Sequence, residues 1–320
     1  LARVREIAPE TVRIMLTGHA DLATAIESVN EGNIFRFLTK PCAPELMQKV
    51  VAAAASQYRL VTAERELLEK TLSGAVKMLC DVLSLVNPTA FGRAHRLHRL
   101  VRMLARQLRL GNAWELEMAA LLSQVGCVAV PEPVLRKLFR AAPLSDDERR
   151  MVAAHPRLGR DLIARIPRLE AVAEAIARQE ERFSAGGAAP ESELPLGARI
   201  LKIVTDYDSL DSRGLSREQA MAEMRRRQGW YDPALLRAFE NALILSEAGE
   251  RYDLREVRVS ELAGDMIFAE DVYSVGDLLL VSKGQEVTVP ILLRLRNFLG
   301  NAAVREPIRV LVPSRQGAAT

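Results

Sequence analysis

Residues 44–87 can form one unbroken helix, and this segment constrains the fold more than any other part of the 320-residue chain. Pro44 lies where a helix tolerates proline, the next proline that could end the helix is Pro88, and Gly74 is its sole glycine. Apolar residues recur at heptad spacing, with Arg65 as a charged exception. The heptad core positions are Met47, Val51, Ala54, Tyr58, Val61, Leu68, Leu72, Ala75, Leu79, Val82 and Val86. We predict a coiled coil that forms a parallel homodimer; the alternative is a helix that packs against its own domain.

Residues 88–249 carry apolar residues at helical spacing, which predicts an all-α domain. Ser145 with Glu148 and Ser216 with Gln219 have the spacing of capping boxes, so helices should begin near both serines. The glycine-rich stretch 185–189 predicts a loop. The predicted helices span 93–110, 113–125, 133–140, 145–154, 158–166, 169–182, 196–210, 216–227 and 233–247.

Residues 251–314 change to short apolar or alternating runs separated by turns, which predicts a small β-rich C-terminal module. The predicted strands span 257–260, 265–269, 277–281 and 308–312, with a short helix over 289–299. The predicted fold class is therefore mainly α with a minor β component.

The composition is that of a folded protein, with 49% hydrophobic and 27% charged residues. A net charge of +3 and dispersed arginines give no reason to expect nucleic-acid binding. Cys42, Cys80 and Cys127 are isolated, which is typical of thiols in a reducing compartment. No apolar run reaches membrane-spanning length, so we expect neither a membrane partner nor a location outside the cytoplasm.

Residues 1–55 resemble the C-terminal half of a response-regulator receiver domain. Predicted strands at 11–17 and 34–41 flank an amphipathic helix at 21–32. Thr17 ends the first strand, and Phe37 and Lys40 fall where receivers keep their switch aromatic and their lysine. The resemblance implies that the acidic pair and the phosphorylated aspartate precede this chain. We therefore expect a truncated form of a longer protein that has a cognate histidine kinase.

Residues 119–131 read Ala-Ala-Leu-Leu-Ser-Gln-Val-Gly-Cys-Val-Ala-Val-Pro. This segment resembles the one in which HD-type phosphohydrolases hold a catalytic metal with adjacent histidine and aspartate. Here that pair is Ser123-Gln124, and Cys127 replaces the family's lysine. Over about residues 75–245 the chain is similar to HD-GYP cyclic di-GMP phosphodiesterases. The family's Gly-Tyr-Pro loop is missing, and 186–190 fills a shorter version.

The resemblance assigns the family's metal-site positions to Arg93, Ser123, Gln124, His155, Gln179, Glu180, Thr205 and Asp208. We call these the ligand positions. A local slip at the first one would substitute His95 for Arg93. Only His155 and Asp208 keep the family's residue, whereas a hydrolytic metal needs about three protein ligands and an open position. We therefore expect no catalytic residues, no metal and no other cofactor. Oxygens from Glu180, Glu181 and Asp206 could support a divalent metal in the alternative reading.

The sequence thus predicts a receiver fragment (1–55), a signalling coiled-coil helix (44–87), a degenerate HD-GYP-like domain (88–249) and a β-rich module (251–314). We expect a response regulator that acts through regulation or protein interaction. The alternatives are an active cyclic di-GMP phosphodiesterase with unusual ligands and a pure dimeric scaffold. Binding of cyclic di-GMP stays open.

The predicted output is a change of shape relayed from Thr17, Phe37 and Lys40 through the long helix to a protein partner. The candidate partner surface is the former active-site cleft, around Gln124, His155, Gln179, Glu180 and Asp208; the alternative is a closed pocket of mutual hydrogen bonds. In a longer chain that includes the first receiver strands, phosphorylation should alter dimer geometry or partner affinity, and Lys40→Ala should abolish that change. Equal behaviour with and without phosphorylation would refute the relay.

Overall fold

The computed structural model describes residues 3–4, 11–18, 34–139, 142–184, 194–249, 252–301 and 304–313. The chain divides into two compact units, Leu1–Gly74 and Ala75–Thr320. Helices predominate among the described residues, as predicted. The helices are α1 (Pro44–Val86), α2 (Pro88–Gln107), α3 (Trp114–Leu122), α4 (Glu132–Phe139), α5 (Asp146–Ile163), α6 (Glu170–Ala177), α7 (Leu196–Ser212), α8 (Arg217–Arg226), α9 (Pro233–Gly249) and α10 (Val289–Asn301). The strands are β1 (Ile14–Thr17), β2 (Arg36–Thr39), β3 (Tyr252–Val257), β4 (Ile267–Phe268), β5 (Val272–Tyr273), β6 (Leu279–Val281) and β7 (Ile308–Pro313).

Two parallel strands, β1 and β2, form the sheet of the first unit, with Thr17 opposite Thr39. The backbone N–H of Lys40 donates to the carbonyl oxygen of Thr17 at 2.7 Å, so the ends of the two strands are fixed together. Both predicted strand segments therefore contain strands. The predicted helix at 21–32 lies outside the described residues.

The long helix α1 ends at Val86, one residue before the predicted boundary. Pro88 disfavours helical geometry at Asn87, and the Asn87 side chain instead accepts a hydrogen bond from the backbone N–H of Ala90 at 3.1 Å. Pro88 then occupies the first turn of α2. The prediction that this helix starts at 93 was wrong because this proline and its cap begin the helix earlier.

The helix α2 lies at the centre of the second unit, packed against α3, α7 and α9. Its buried face includes Phe91, Leu97 and Leu104, each removed almost completely from water. Between α7 and α9, the rings of Tyr207 and Phe239 meet edge to face, with their centroids 5.1 Å apart. Both predicted capping boxes are present, at Ser145 and Ser216.

The helix α5 runs through Pro156, where two separate helices were predicted. Proline has no N–H, so the carbonyl oxygen of Val152, four residues earlier, loses its usual helical donor. The ring of His155 lies 2.6 Å from that oxygen through Nδ1 and replaces the missing donor. The prediction of a break was wrong because a side chain satisfies the backbone group that the proline leaves open.

The C-terminal module contains an antiparallel sheet of order β3-β7-β4, a β5-β6 hairpin and α10. Its buried core includes Phe268, Leu280, Leu295 and Val310. The predicted strand at 257–260 was misplaced, because the strand ends at Val257 and a 3₁₀ turn follows over Val259–Glu261. The module packs on α2, where the Ser282 hydroxyl donates to the Pro88 carbonyl oxygen at 2.8 Å. None of the described helices has the length and apolar character that crossing a membrane requires.

Gly126 provides a test of the packing around α5. It lies in a 3₁₀ helix, Val125–Ala129, and a Cβ atom at this position would overlap the carbonyl oxygen of His155. We expect Gly126→Ala to lower the free energy of unfolding by about 2–3 kcal/mol, as overpacking does. Urea unfolding measures the change.

Gly74→Ala is the matched control, because a Cβ atom there meets no atom within 4 Å. In a helix interior it should raise stability by about 0.5–1 kcal/mol. Equal effects of the two substitutions would contradict the proposed close approach of the 3₁₀ helix to α5.

Candidate functional site

The ligand positions lie on helices that meet around α2 and α7. Arg93 lies on α2, Ser123 and Gln124 follow α3, His155 lies on α5, Gln179 and Glu180 follow α6, and Thr205 and Asp208 lie on α7. All of them are buried except Glu180, which is exposed. The structure therefore places polar side chains in a mostly buried part of the domain, where each needs a partner.

Asp208 is held by two arginines, and we call Arg93, Asp208 and Arg96 the arginine–aspartate triad. Arg93 Nε donates to Asp208 Oδ2 at 2.9 Å. Arg96 donates from Nε to Oδ1 at 2.5 Å and from Nη2 to Oδ2 at 3.1 Å. The Asp208 side chain is 3% exposed, so both of its oxygens are occupied by charge-assisted hydrogen bonds away from bulk water.

The triad fixes the charge state of Asp208. Burial alone would raise the pKa of this carboxyl group, but the charges and hydrogen bonds of Arg96 and Arg93 keep the pKa below its ordinary value. Asp208 in turn raises the pKa of Arg96 against the opposing effect of burial. Asp208 and Arg96 are therefore charged at neutral pH.

Arg93 also fixes the backbone of α7. Its Nη2 donates to the Thr205 carbonyl oxygen at 2.8 Å and to the Ser209 hydroxyl at 2.6 Å. Its guanidinium carbon lies 4.8 Å from the centre of the Phe139 ring. His95, the alternative first position, instead lies 3.5 Å from Asp81 through Nε2. The structure thus brings Arg93, and not His95, to Asp208.

A second group of ligand positions forms a neutral network. Gln179 Nε2 donates to the Ser123 carbonyl oxygen at 3.2 Å, and Gln124 Nε2 donates to the Ser123 hydroxyl at 3.2 Å. The Ser123 hydroxyl itself donates to the Ala120 carbonyl oxygen at 2.8 Å. Burial raises the pKa of the nearby Cys127 to about 12, so this thiol stays protonated.

Two oxygens of the site have no hydrogen-bond partner among the described residues. They are Gln179 Oε1 and the Thr205 hydroxyl oxygen, and both are fully buried. Neither is charged, and a neutral amide or hydroxyl oxygen is a weak ligand for a divalent transition metal compared with imidazole or carboxylate. These atoms give no reason to assign a metal at this position.

His155 is a buried histidine with a structural partner. Burial lowers its pKa, and the hydrogen bond to the Val152 carbonyl oxygen only partly offsets that effect. A neutral ring must donate from Nδ1 to a carbonyl oxygen, so its Nε2 carries no proton. A metal-binding histidine often has this same tautomer, with its other ring nitrogen donating to a carbonyl oxygen. Here that hydrogen bond also replaces the one that Pro156 cannot donate to the Val152 carbonyl oxygen.

A further cation, Lys202, lies near Glu180 and was missed by the sequence reasoning. Its Nζ lies 3.1 Å from Asp206 Oδ1 and 3.4 Å from Glu180 Oε2. Tyr231 donates to the other oxygen of Asp206 at 2.7 Å. The carboxylates of Asp206 and Glu180 thus already have a protein cation as partner. Glu181 pairs with Arg178 at 2.9 Å and does not join them.

Sequence reasoning also missed Arg96. It lies one helical turn after Arg93, so the two side chains project from the same face of α2. Lys202 similarly lies on α7 one turn before Asp206. In both cases the signal available in the sequence was a charged residue three or four positions away from another residue of the site.

This donor set does not fit a divalent metal. No group of three or more His, Cys, Asp or Glu residues that could hold a metal occurs among the residues described. Asp208 already bonds to two guanidinium groups, which would repel an added cation. His155 is then left without the carboxylate partners that a hydrolytic site requires.

The receiver positions lie in the other unit. Thr17 ends β1, Phe37 lies within β2 opposite Met15, and Lys40 follows β2 directly. Their role in a switch stays a prediction.

Residues 77–235 match the family model described as HD domain. A cyclic di-GMP phosphodiesterase from Pseudomonas aeruginosa is 29% identical over 171 residues, covering 50% of this chain and 41% of that protein. The cyclic di-GMP phosphodiesterase response regulator RpfG of Xanthomonas campestris pv. campestris is 27% identical, covering 56% of this chain and 52% of that protein. The hydrogenase transcriptional regulatory protein HoxA of Bradyrhizobium diazoefficiens is 33% identical over 84 residues, covering 26% of this chain and 17% of that protein.

Residues 77–235 are therefore similar to HD domains, and about half of the chain is similar to cyclic di-GMP phosphodiesterases. The chain spans 41% and 52% of the length of the two phosphodiesterase relatives.

The triad makes a quantitative prediction about stability. Asp208→Asn leaves two guanidinium groups without their counter-ion, so it should lower the free energy of unfolding by about 3 kcal/mol. Arg93→Met leaves Asp208 paired with Arg96 and should lower it by about 1.5–3 kcal/mol, the value of a hydrogen bond to a charged group. The double variant should lose less stability than the sum of the two single losses, with a coupling free energy of about 1–2 kcal/mol. Urea unfolding of the four proteins measures the cycle.

The exposed pair Asp146–Arg149, with atoms 2.6 Å apart, is the matched control. A double-mutant cycle on Asp146 and Arg149 should show no measurable coupling free energy, since solvent screens exposed ion pairs. Additive effects of Arg93 and Asp208 would contradict a buried pair.

Proposed function

We propose that the HD domain of this chain is a regulatory output domain that does not hydrolyse cyclic di-GMP, within a response regulator. The observation that carries the proposal is the arginine–aspartate triad, in which two guanidinium groups take the place beside Asp208 that the family gives to metals. Homology to cyclic di-GMP phosphodiesterases, one of them a response regulator, supports the family context.

Hydrolysis of a phosphodiester requires an activated water molecule as the nucleophile. Water has a pKa of about 15.7, and a metal site lowers it towards 7. The groups that contact Asp208 are cations, and burial lowers the pKa of His155, which makes its unprotonated Nε2 a weak base towards water. Hydrolysis of a phosphodiester at neutral pH should then be negligible.

We expect no hydrolysis of cyclic di-GMP or of its linear dinucleotide product when the purified protein is incubated with Mn²⁺, Fe²⁺ or Zn²⁺. Anion-exchange chromatography of the nucleotides measures turnover. The control is His155→Ala, which removes a retained ligand position, with circular dichroism to show that it is folded. Metal-dependent turnover that disappears in folded His155→Ala would overturn the proposal in favour of an active phosphodiesterase with atypical ligands.

A dimeric role is favoured by the surface of α1. The heptad positions Val51, Tyr58, Leu68, Leu79 and Val82 are each 42–51% exposed in the single chain. Exposed apolar residues repeated at this spacing are typical of a seam that a second helix covers. We propose a parallel homodimer through this helix, which a pure scaffold would share.

The dimer proposal is tested by Leu68→Asp combined with Leu79→Asp. A charge buried in the seam without a partner is strongly unfavourable, so the double variant should sediment as a monomer. The matched control is Leu67→Asp with Met78→Asp, which are 66% and 64% exposed and lie outside the heptad positions. A monomeric wild-type protein at micromolar concentration, or equal loss in both variants, would refute the seam.

We retain the former cleft as the proposed partner surface, centred on Glu180. Glu180 is the accessible member of the set, whereas Gln124, Gln179 and Asp208 are at most 3% exposed. The others contribute by holding the surface in shape through their hydrogen bonds. Glu180→Lys should weaken partner binding in a pull-down, and unchanged binding would move the surface elsewhere.

A further inference from the structure

We propose that a pocket between α2, α9 and the C-terminal module binds a nucleotide, with its phosphate groups on the arginines of α2. The pocket has a volume of about 730 Å³. This lies in the range of ligand sites for small molecules. It lies entirely within the second unit and does not use the arginine–aspartate triad or the ligand positions.

The cationic wall is a row of arginines on one helix. Arg99, Arg102 and Arg106 all line the pocket and follow i, i+3, i+7 spacing, so they lie on the same face of α2. At 1.5 Å per residue the row is about 10 Å long. Phosphate groups joined in a chain match such a row, because guanidinium groups bind phosphate oxygens in a bidentate way.

Arg99 is the residue that most needs an anion. It forms no hydrogen bond or ion pair with any residue in the described part of the chain, although its side chain is accessible. Burial lowers the pKa of Arg99; Tyr252 and Glu286, which also line the pocket, oppose this effect, and the charge of Arg96 adds to it. Arg102, in contrast, has Glu117 at 3.9 Å. A phosphate would give Arg99 the partner that the described residues do not supply.

The opposite wall is apolar and suits a planar base. Leu243 of α9, and Ile267 and Leu311 of the module line it, and Tyr252 lies at the same pocket, whereas Met103 lies among the arginines of α2. Aromatic and apolar side chains hold nucleobases by stacking. An inorganic anion would leave this wall exposed, and this favours a nucleotide over free phosphate.

Glu286 also lines the pocket and opposes an anion placed beside it. Its carboxylate is 4.0 Å from Lys77, a weak pairing at the surface. A carboxylate accepts hydrogen bonds from ring and exocyclic N–H groups of a base. We therefore place the base towards Glu286 and the phosphates along the arginine row, which accounts for both signs of charge in the pocket.

The test is isothermal titration calorimetry of the purified chain with GDP, ADP, UDP and CDP in turn, and with pyrophosphate and guanosine as separate arms. We expect at least one nucleoside diphosphate to bind more tightly than pyrophosphate. Arg99→Gln should weaken that binding about 10- to 100-fold, as loss of a charge-assisted hydrogen bond does. Because Arg99 supports no described contact, this variant should unfold at the same or a higher temperature than wild type.

Arg109→Gln is the matched control, since Arg109 is exposed, close to the end of α2 and outside the pocket lining. It should leave binding unchanged. Arg102→Gln provides a second pocket variant if Arg99→Gln fails to fold. Absence of binding by all four nucleotides, equal binding of pyrophosphate, or equal effects of Arg99→Gln and Arg109→Gln would each overturn the proposal. Capture of a poly-glutamate peptide without nucleotide binding would instead indicate an acidic protein partner and also overturn it.

Discussion

A single buried carboxylate, Asp208, joins three parts of the second unit. Arg93 and Arg96 reach it from α2, and Asp208 itself lies on α7. Arg96 also donates to the carbonyl oxygen of Lys283 at 3.0 Å, so the C-terminal module is tied to the same group. Loss of Asp208 leaves two guanidinium groups without their counter-ion, and loss of either arginine leaves Asp208 with one hydrogen-bonding cation instead of two, so the three groups are interdependent. In our proposal, guanidinium groups perform the cross-linking that a metal would otherwise provide.

His155 matches the family's residue and also has a structural role that does not depend on catalysis. Pro156 removes the helical donor to Val152, and the His155 ring supplies a replacement. The same ring orientation is the one that a metal ligand needs. The geometry of this histidine alone therefore does not distinguish a catalytic from a structural role, and its neighbours decide. Here the charged neighbours are Arg93, which bonds to Asp208, and Glu180, which already has Lys202 as its partner.

The sequence predicted most of the helical frame, because 3.6-residue spacing and capping boxes are local signals. It also located the motif at Ser123-Gln124 and the surviving Asp208. The family resemblance assigned Arg93 and Asp208, 115 residues apart, to one site, but it predicted neither their direct hydrogen bond nor the participation of Arg96. Two helices, over 145–154 and 158–166, were predicted where the structure has one helix through Pro156, because the His155 ring lies against the Val152 carbonyl oxygen and satisfies it. The strand at 257–260 was misplaced because short apolar runs do not define strand ends.

We propose that Arg93 and Arg96 occupy the place beside Asp208 that metals have in the family. The most direct test of this proposal is the metal content of the purified protein, measured by inductively coupled plasma mass spectrometry after incubation with Mn²⁺, Fe²⁺ and Zn²⁺ and removal of free ions. We expect far less than one equivalent of metal per chain, with no change in the Arg96→Gln or His155→Ala variant. About two equivalents per chain, as in a di-metal site, that are lost in His155→Ala would contradict the proposal.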